Sequence, residues 1–592
     1  MWKQEKVKVT TPSTVLLRRL IRNLAPYKLA FVAVAILTIV NSFASLAAPY
    51  ILGLAIDNYI LRGDLAGLLI MAGLYVVCAV GQWASQSLRG YALEWVGQKF
   101  LNSIRRQIFE KLQKLSFSFY NKRRVGELIS IVVNDTSTLQ EVLVTGVFSV
   151  IGDLITLVGI LAAMFMLSIP LTLVSLTIIP VMIAVAYVFS SKMRKAYRMT
   201  REKIAKVTAK VQESISGIKV IQAFGREDAV AKSFRAASRE TLEANVAAGR
   251  LMALFWPIIR MLSTVATVLV LWYGGYLTSI QAVSIGTLVA FLSYVTRFTM
   301  PIMTLVNMYD AIQAAFAAAE RIFNILDVEL DVKDAPDAIE LTQIKGKIEF
   351  RNVYFEYNPG MPVLKNINLT INPGEIVALV GPTGAGKTTL VSLLCRFYDV
   401  KRGSILIDGH DIRKIKQKSL RMLIGFVPQE TYLFPGTIME NIKIGKPGAT
   451  ERDVINVCKK LGIHNFIMRL PHGYETDAGE AGRKLSTGEK QLIAFARAML
   501  RNPSILILDE AMSSVDPQTE EMIKNAIKKL FQGKTGIIIA HRLTLARDCD
   551  RIIVIHNGEI IEEGSHNELM ERKGLYYKLY TSQLGMQATA VT

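Results

Sequence analysis

Residues Gly381 to Thr389 read GPTGAGKTT, of the form G-x-x-x-x-G-K-[ST]. This spacing suits a triphosphate. The run Gly381, Pro382, Thr383, Gly384, Ala385 and Gly386 lets backbone N–H groups approach phosphate oxygens, and Lys387 reaches the outer phosphates. Thr388 offers a hydroxyl to Mg²⁺. The helix that carries Thr389 in its first turn points its positive end at the nucleotide. Farther along come LSTGEKQ (Leu485 to Gln491) and the apolar run Ile505 to Leu508, which ends on Asp509 and Glu510. A γ-phosphate transfer needs charge neutralisation, a metal and an oriented water, and these residue types can supply all three. A carboxylate pair after a strand also serves as a helix cap, and a lone histidine is commonly structural. Order and spacing behind the loop therefore carry the assignment.

The elements around the loop are those of an α/β domain. Glu375 to Val380 (EIVALV) reads as a buried strand entering the loop, with a helix from about Lys387. Ser504 to Leu508 and Gly536 to Ala540 read as further buried strands, and Ile348 to Tyr357 alternates as strands do. Upstream the chain changes character. Six apolar stretches of bilayer length lie near Leu29–Ile56, Ala66–Leu88, Glu141–Leu167, Leu171–Ser191, Met252–Tyr276 and Ile285–Leu305. The expected fold is multidomain: a six-helix transmembrane domain followed by an α/β P-loop ATPase. The expected bounds are 1–326 for the membrane domain, 327–345 for an acidic exposed linker, 346–584 for the ATPase and 585–592 for a tail.

Charge fixes the orientation. The chain of 592 residues carries a formal charge of +20, which could suggest nucleic acid. The excess sits largely beside the apolar spans, the pattern of a membrane protein, and nucleic-acid binding is excluded on that ground. Arg18, Arg19, Arg22 and Lys28 precede the first span. Lys99, Arg105, Arg106, Lys111, Lys114, Lys122, Arg123 and Arg124 lie between the second and third, and Lys192 to Arg250 lies between the fourth and fifth. The other three connections are short and contain only Arg62. The two long basic connections therefore face the cytoplasm, and so do the N-terminus and the ATPase. Both keep helical periodicity, with reversals expected at Ser118–Arg124 and Ser214–Ala223. Cys78, Cys395, Cys458 and Cys549 are far apart and read as ordinary thiols. The polar N-terminus is not a cleavable signal peptide. Asp153, Arg260 and Arg297 fall inside apolar spans. They read equally as lining for a substrate path and as structural or snorkelling charges.

From Ile348 to about Leu584 the motifs resemble the nucleotide-binding domain of ATP-binding-cassette (ABC) transporters. The resemblance implies that Tyr357 stacks on adenine and that Gln429, in Val427-Pro428-Gln429, contacts Mg²⁺ and senses the γ-phosphate. It implies that Asp509 holds Mg²⁺ through water and that Glu510 is the general base for the attacking water. Ser513 to Asp516 fits the D-loop, and His541 fits the switch histidine that bonds the γ-phosphate. Leu485 to Glu489 fits the signature motif, whose Ser486 and Gly488 contact ATP bound to an opposite subunit. The implied cofactors are ATP and Mg²⁺. Short coupling helices are implied at the two cytoplasmic reversals, touching the nucleotide-binding domains.

The signature departs from the family's LSGGQ, with Thr487 for Gly and Glu489 for Gln. Thr487 adds a β-branched side chain, and Glu489 brings a negative charge towards a phosphate if it faces inward. In exporters similar to this chain, such a change accompanies two non-identical subunits. The reading favoured is a half-transporter of the bacterial multidrug and lipid exporter type, paired with a different half. It would move a hydrophobic or amphipathic substrate across the cytoplasmic membrane. A homodimer, an importer of the siderophore type and an ATP-gated channel or regulator are the alternatives. The residues do not name the substrate.

Overall fold

A computed structural model describes residues 12–509, 517–540 and 542–589. The chain divides into two units, residues 1–113 with 125–328, and residues 114–124 with 329–592. In the first, α1 (Ser13–Leu24) buries Leu16 and Leu20 and leaves its arginines exposed. Then come α2 (Lys28–Ala55) and α3 (Leu65–Lys114). A short α4 (Phe117–Asn121) marks the first reversal, where expected. Next are α5 (Val147–Leu167) and α6 (Ile178–Ser216), then a second short helix, α7 (Ile218–Ala223), again at an expected reversal. The long α8 (Glu227–Ser279), α9 (Ile285–Arg297) and α10 (Thr299–Leu326) complete the unit.

Among the described residues, five helical stretches are long and apolar enough to cross a membrane: Thr14–Ile60, Leu65–Lys114, Val125–Leu167, Ile169–Ser216 and Glu227–Ser279. Their most apolar windows have mean hydropathies of 1.9 to 2.3. The 50 residues of α3 extend about 75 Å at the usual helical rise, more than twice the apolar thickness of a bilayer. The surplus length is the cytoplasmic extension expected from the basic connections. The sixth expected span is divided between α9 and α10, because Pro301 has no N–H to donate to the Arg297 carbonyl. The backbone at Phe298 stays right-handed helical (φ −70°, ψ −27°), so the interruption is slight.

Proline also explains Arg297. Pro49 lies inside α2 and leaves the Ser45 carbonyl without a helical partner. Arg297 Nη1 donates to that carbonyl at 2.8 Å and to Ser45 Oγ at 2.9 Å. One residue on, Leu46 O accepts from the Tyr294 hydroxyl at 2.6 Å. Arg297 is thus committed to holding α9 against α2. Asp153 is half-buried and Arg260 exposed.

The same helix pair meets through glycines. A Cβ on Gly286 would lie 2.0 Å from Gly53 O and 2.6 Å from the Asp57 carboxyl carbon. Asp57 in turn accepts from Gly286 N at 2.7 Å and from the Ser284 hydroxyl. Small residues are how helices approach closely in lipid. Gly286→Val should therefore cost about 1–3 kcal/mol or more through overpacking. The expected result is a clear fall in monodisperse protein on size exclusion and a lower melting temperature in detergent. An unchanged melt would contradict this packing.

Among the described residues, the second unit carries two sheets. One is four-stranded, ordered β2-β1-β4-β5, from β1 (Ile348–Glu356), β2 (Pro362–Ile371), β4 (Arg402–Ile407) and β5 (His410–Asp411). The other is six-stranded, ordered β10-β9-β3-β8-β7-β6. Its strands are β3 (Ile376–Val380), β6 (Ile424–Val427), β7 (Ile505–Asp509), β8 (Thr535–Ile539), β9 (Arg551–His556) and β10 (Glu559–Gly564). All its pairings are parallel except β9–β10. Alternate residues feed two cores: Ala378, Leu506, Leu508 and Ile538 face one side, and Val377, Ile505, Ile507 and Ile537 the other. A sheet buried on both faces is what the continuous apolar runs require.

The acidic stretch expected to be an exposed linker is, from Glu329 onward, laid against this unit. Its anchor is Arg396, which is 1% exposed and has φ +50°. Arg396 donates to Lys333 O at 2.8 Å and to Ile415 O at 2.7 Å, and pairs with Asp399 and Asp334 at 3.1 and 3.4 Å. Ile339 bridges Ile415, and Leu341 N donates to Ser419 Oγ.

Candidate functional site

The site gathers on one edge of the six-stranded sheet, at the carboxyl ends of its parallel strands. That is where open α/β sheets place ligands. β3 ends at Val380 and turns into the glycine loop. Gly381 has φ +149°, and a Cβ there would lie 2.0 Å from Ile555 O, so only glycine fits. Gly386 has φ +107° and caps α11 (Lys387–Leu394). Lys387 is 5% exposed. Its Nζ donates to Gly381 O at 2.7 Å and Pro382 O at 3.0 Å, so the ammonium is folded back into the loop it serves. Thr388 is exposed at the helix start, while Thr389 is buried beneath it.

β7 lies one strand beyond β8, and its last residue, Asp509, is 7% exposed. Gln429 is exposed two residues past β6, the neighbour of β7. The sheet therefore brings Lys387, Thr388, Asp509 and Gln429 to one edge. A hydroxyl and a carboxylate, both hard oxygen donors, suit Mg²⁺ completed by phosphate and water. Glu510, Ser513 to Asp516 and His541 lie outside the described residues.

Tyr357 follows β1 directly and is 44% exposed, so it is not simply packed strand. Its hydroxyl donates to Thr389 Oγ1 at 3.1 Å. Phe355 and Tyr398 stand edge-on to its ring, with centroids 4.9 and 5.2 Å away.

Ser486 and Gly488 begin α12 (Thr487–Arg501), away from the glycine loop in sequence and exposed and buried respectively. Glu489 is engaged locally, at the start of its own helix. The Glu489 carboxylate accepts from Ser486 N at 2.7 Å, and Ser486 Oγ accepts from Glu489 N at 3.3 Å. This is a capping box, so the negative charge is turned onto its own helix end. The Ser486 hydroxyl proton remains available to donate. Thr487 is exposed.

Sequence reasoning missed Arg497, on α12. It donates to Asn441 O at 2.6 Å, Asn441 Oδ1 at 2.5 Å and Tyr432 O at 2.7 Å, which ties the signature helix to the segment after Gln429. Burial lowers its pKa to about 10. An arginine between the buried Phe495 and Ala498 was the available signal.

Residues 31–302 match the family profile for the ABC transporter transmembrane region, and residues 364–513 the ABC transporter profile. The chain is 37% identical over 575 residues to a putative multidrug export ATP-binding/permease protein, YgaD, of Bacillus subtilis (strain 168), covering 96% of this chain and 99% of that one. It is 36% identical to an ATP-dependent lipid A-core flippase of Syntrophus aciditrophicus (strain SB), covering 96% and 94%. A solved bacterial Atm1-family ABC exporter with ATP bound superposes with a TM-score of 0.77 at 30% identity, covering 94% of this chain and 99% of that one. The helical unit, the nucleotide edge and these relatives agree: the chain belongs to the ABC transporter family, as a half-transporter that joins a multi-pass membrane domain and a cytoplasmic ATPase domain in one polypeptide.

Proposed function

We propose that the chain is one half of a heterodimeric exporter that drives a hydrophobic or amphipathic molecule, a drug or lipid, across the cell membrane by alternating access. The names of the relatives support the substrate class. The altered signature is the single observation that carries the unequal pairing. In this reading Lys387 and the loop amides neutralise the outer phosphates, and Tyr357 stacks on adenine. Thr388 and Asp509, with Gln429, would hold Mg²⁺, which would supply charge neutralisation at the phosphate oxygens. Glu510 accepts the proton of the attacking water, and His541 positions the γ-phosphate. Ser486 and Gly488 serve the nucleotide of the other subunit. ATP binding biases one of two states of the paired chains, and hydrolysis resets it.

A second chain is also supported by α7. Ile218 and Val220, with Ile215 and Phe224 beside the helix, are 44%, 61%, 68% and 77% exposed. These are apolar groups at the tip of a cytoplasmic reversal, where a partner's ATPase domain would cover them.

The pairing is tested by the double change Thr487→Gly with Glu489→Gln. Glutamine keeps the capping box and removes the charge. In a heterodimer the impaired Walker B of the partner still limits the site that uses this signature, so steady-state ATPase should stay within about twofold of the parent. In a homodimer both sites use LSTGE, and turnover should rise severalfold. Co-purification of the tagged chain gives the subunit count directly. Active transporter made from this chain alone, with raised turnover in the double variant, would remove the heterodimer.

A further inference from the structure

The helix reversal at residues 114–124 groups with the ATPase unit. Phe117 packs on Phe397 at 4.6 Å. Ser116 and Ser118 donate to Asp331. Asn121 Nδ2 donates to the Tyr398 hydroxyl at 2.8 Å. Phe397 packs on towards Phe426 and Arg421, whereas the Tyr398 contact leads towards the glycine loop. The edge of the Tyr398 ring lies against Tyr357, with centroids 5.2 Å apart and planes at 82°, and it also touches Phe355 at 5.7 Å. Tyr357 in turn reaches Thr389, two residues past Lys387.

We infer that Tyr398 and Asn121 are positioning residues for nucleotide binding, linking the base-facing ring of Tyr357 to the helix reversal through one aromatic block. This rests on the proposed adenine contact of Tyr357. The physical basis is rigidity. A tyrosine has two side-chain torsions, and Tyr398 has both ends engaged, its edge by Tyr357 and its hydroxyl by Asn121. It cannot turn without loosening one contact or dragging the other. The orientation that Tyr357 offers to a base therefore depends on whether Asn121 is seated. By linkage, a bound base favours the seated reversal by the same free energy. Neither Asn121 nor Tyr398 is in the phosphate site, so the effect falls on nucleotide affinity and leaves the chemical step alone.

The experiment uses the full-length chain, in the dimer it purifies as, with steady-state ATPase measured over a range of ATP. Asn121→Ala removes the donor. Tyr398→Phe keeps the ring and removes only the hydroxyl. Each should raise KM for ATP roughly threefold to tenfold, the size of one lost hydrogen bond, with kcat within about twofold of the parent. The double variant should be no worse than either single one, because both break the same bond. An unaltered KM in either single variant, additive effects in the double, or a fall confined to kcat overturns the inference; the last is what a merely structural defect gives. Tyr357→Ala separates the two levels. If it raises KM while Asn121→Ala and Tyr398→Phe do not, the link fails and the adenine contact stands. If Tyr357→Ala leaves KM unaltered, the adenine reading fails and the inference with it.

Discussion

Glu510→Gln should lower ATP turnover at least about 100-fold while leaving ATP binding intact, as expected for removal of a general base. Glu510 follows Asp509, the buried end of β7, and only β8 separates β7 from β3, the strand that ends in the glycine loop. Glutamine has the same shape, so the fold and the nucleotide pocket are preserved. It has no basic carboxylate to take the proton of water. Phosphate release and binding of a fluorescent ATP analogue, measured on the same purified dimer, separate the two effects. Turnover near the parent rate would show that another group is the base.

Lys387→Ala acts on binding itself. The ammonium is a charge-assisted donor, and one such bond to a phosphate contributes about 1.5–3 kcal/mol, or about 10- to 100-fold in affinity. The change also removes the donor shared by Gly381 O and Pro382 O, two carbonyls that shape the loop. Both effects weaken nucleotide affinity. Equilibrium titration with the fluorescent analogue reads the result directly. An unchanged dissociation constant would end the role assigned to Lys387.

Much of this site was legible because its determinants are residue types at fixed spacing. Gly381 and Gly386 are glycines for steric reasons, and EIVALV had to be a buried strand. The two cytoplasmic reversals were legible from periodicity between basic segments. What escaped has a physical reason in each case. Pro301 stands in a continuous apolar run, so hydropathy alone hides the division between α9 and α10. Arg297 was ambiguous because its acceptors, the Ser45 carbonyl and hydroxyl, carry no opposite charge to mark them in the sequence; the clue was Pro49, in a different helix. S-x-x-E at Ser486–Glu489 was visible as a cap signal. Set against LSGGQ, the same residues put a negative charge towards a phosphate if Glu489 faces inward, whereas the carboxylate accepts from the Ser486 amide. The Tyr357–Tyr398–Asn121 chain joins segments far apart in sequence and leaves no local pattern.

The buried guanidinium of Arg396 bears on how the molecule can be dissected. A soluble ATPase fragment cut to begin at β1 would omit Lys333 and Asp334, and with them two of the four acceptors around that cation. The fragment would then carry an under-satisfied charge in its interior, at a cost of about 1–3 kcal/mol. It would also lose the Ile339 pairing that covers Ile415. An autonomous module starts upstream of Lys333, at the acidic stretch, which is structurally the first segment of the catalytic body.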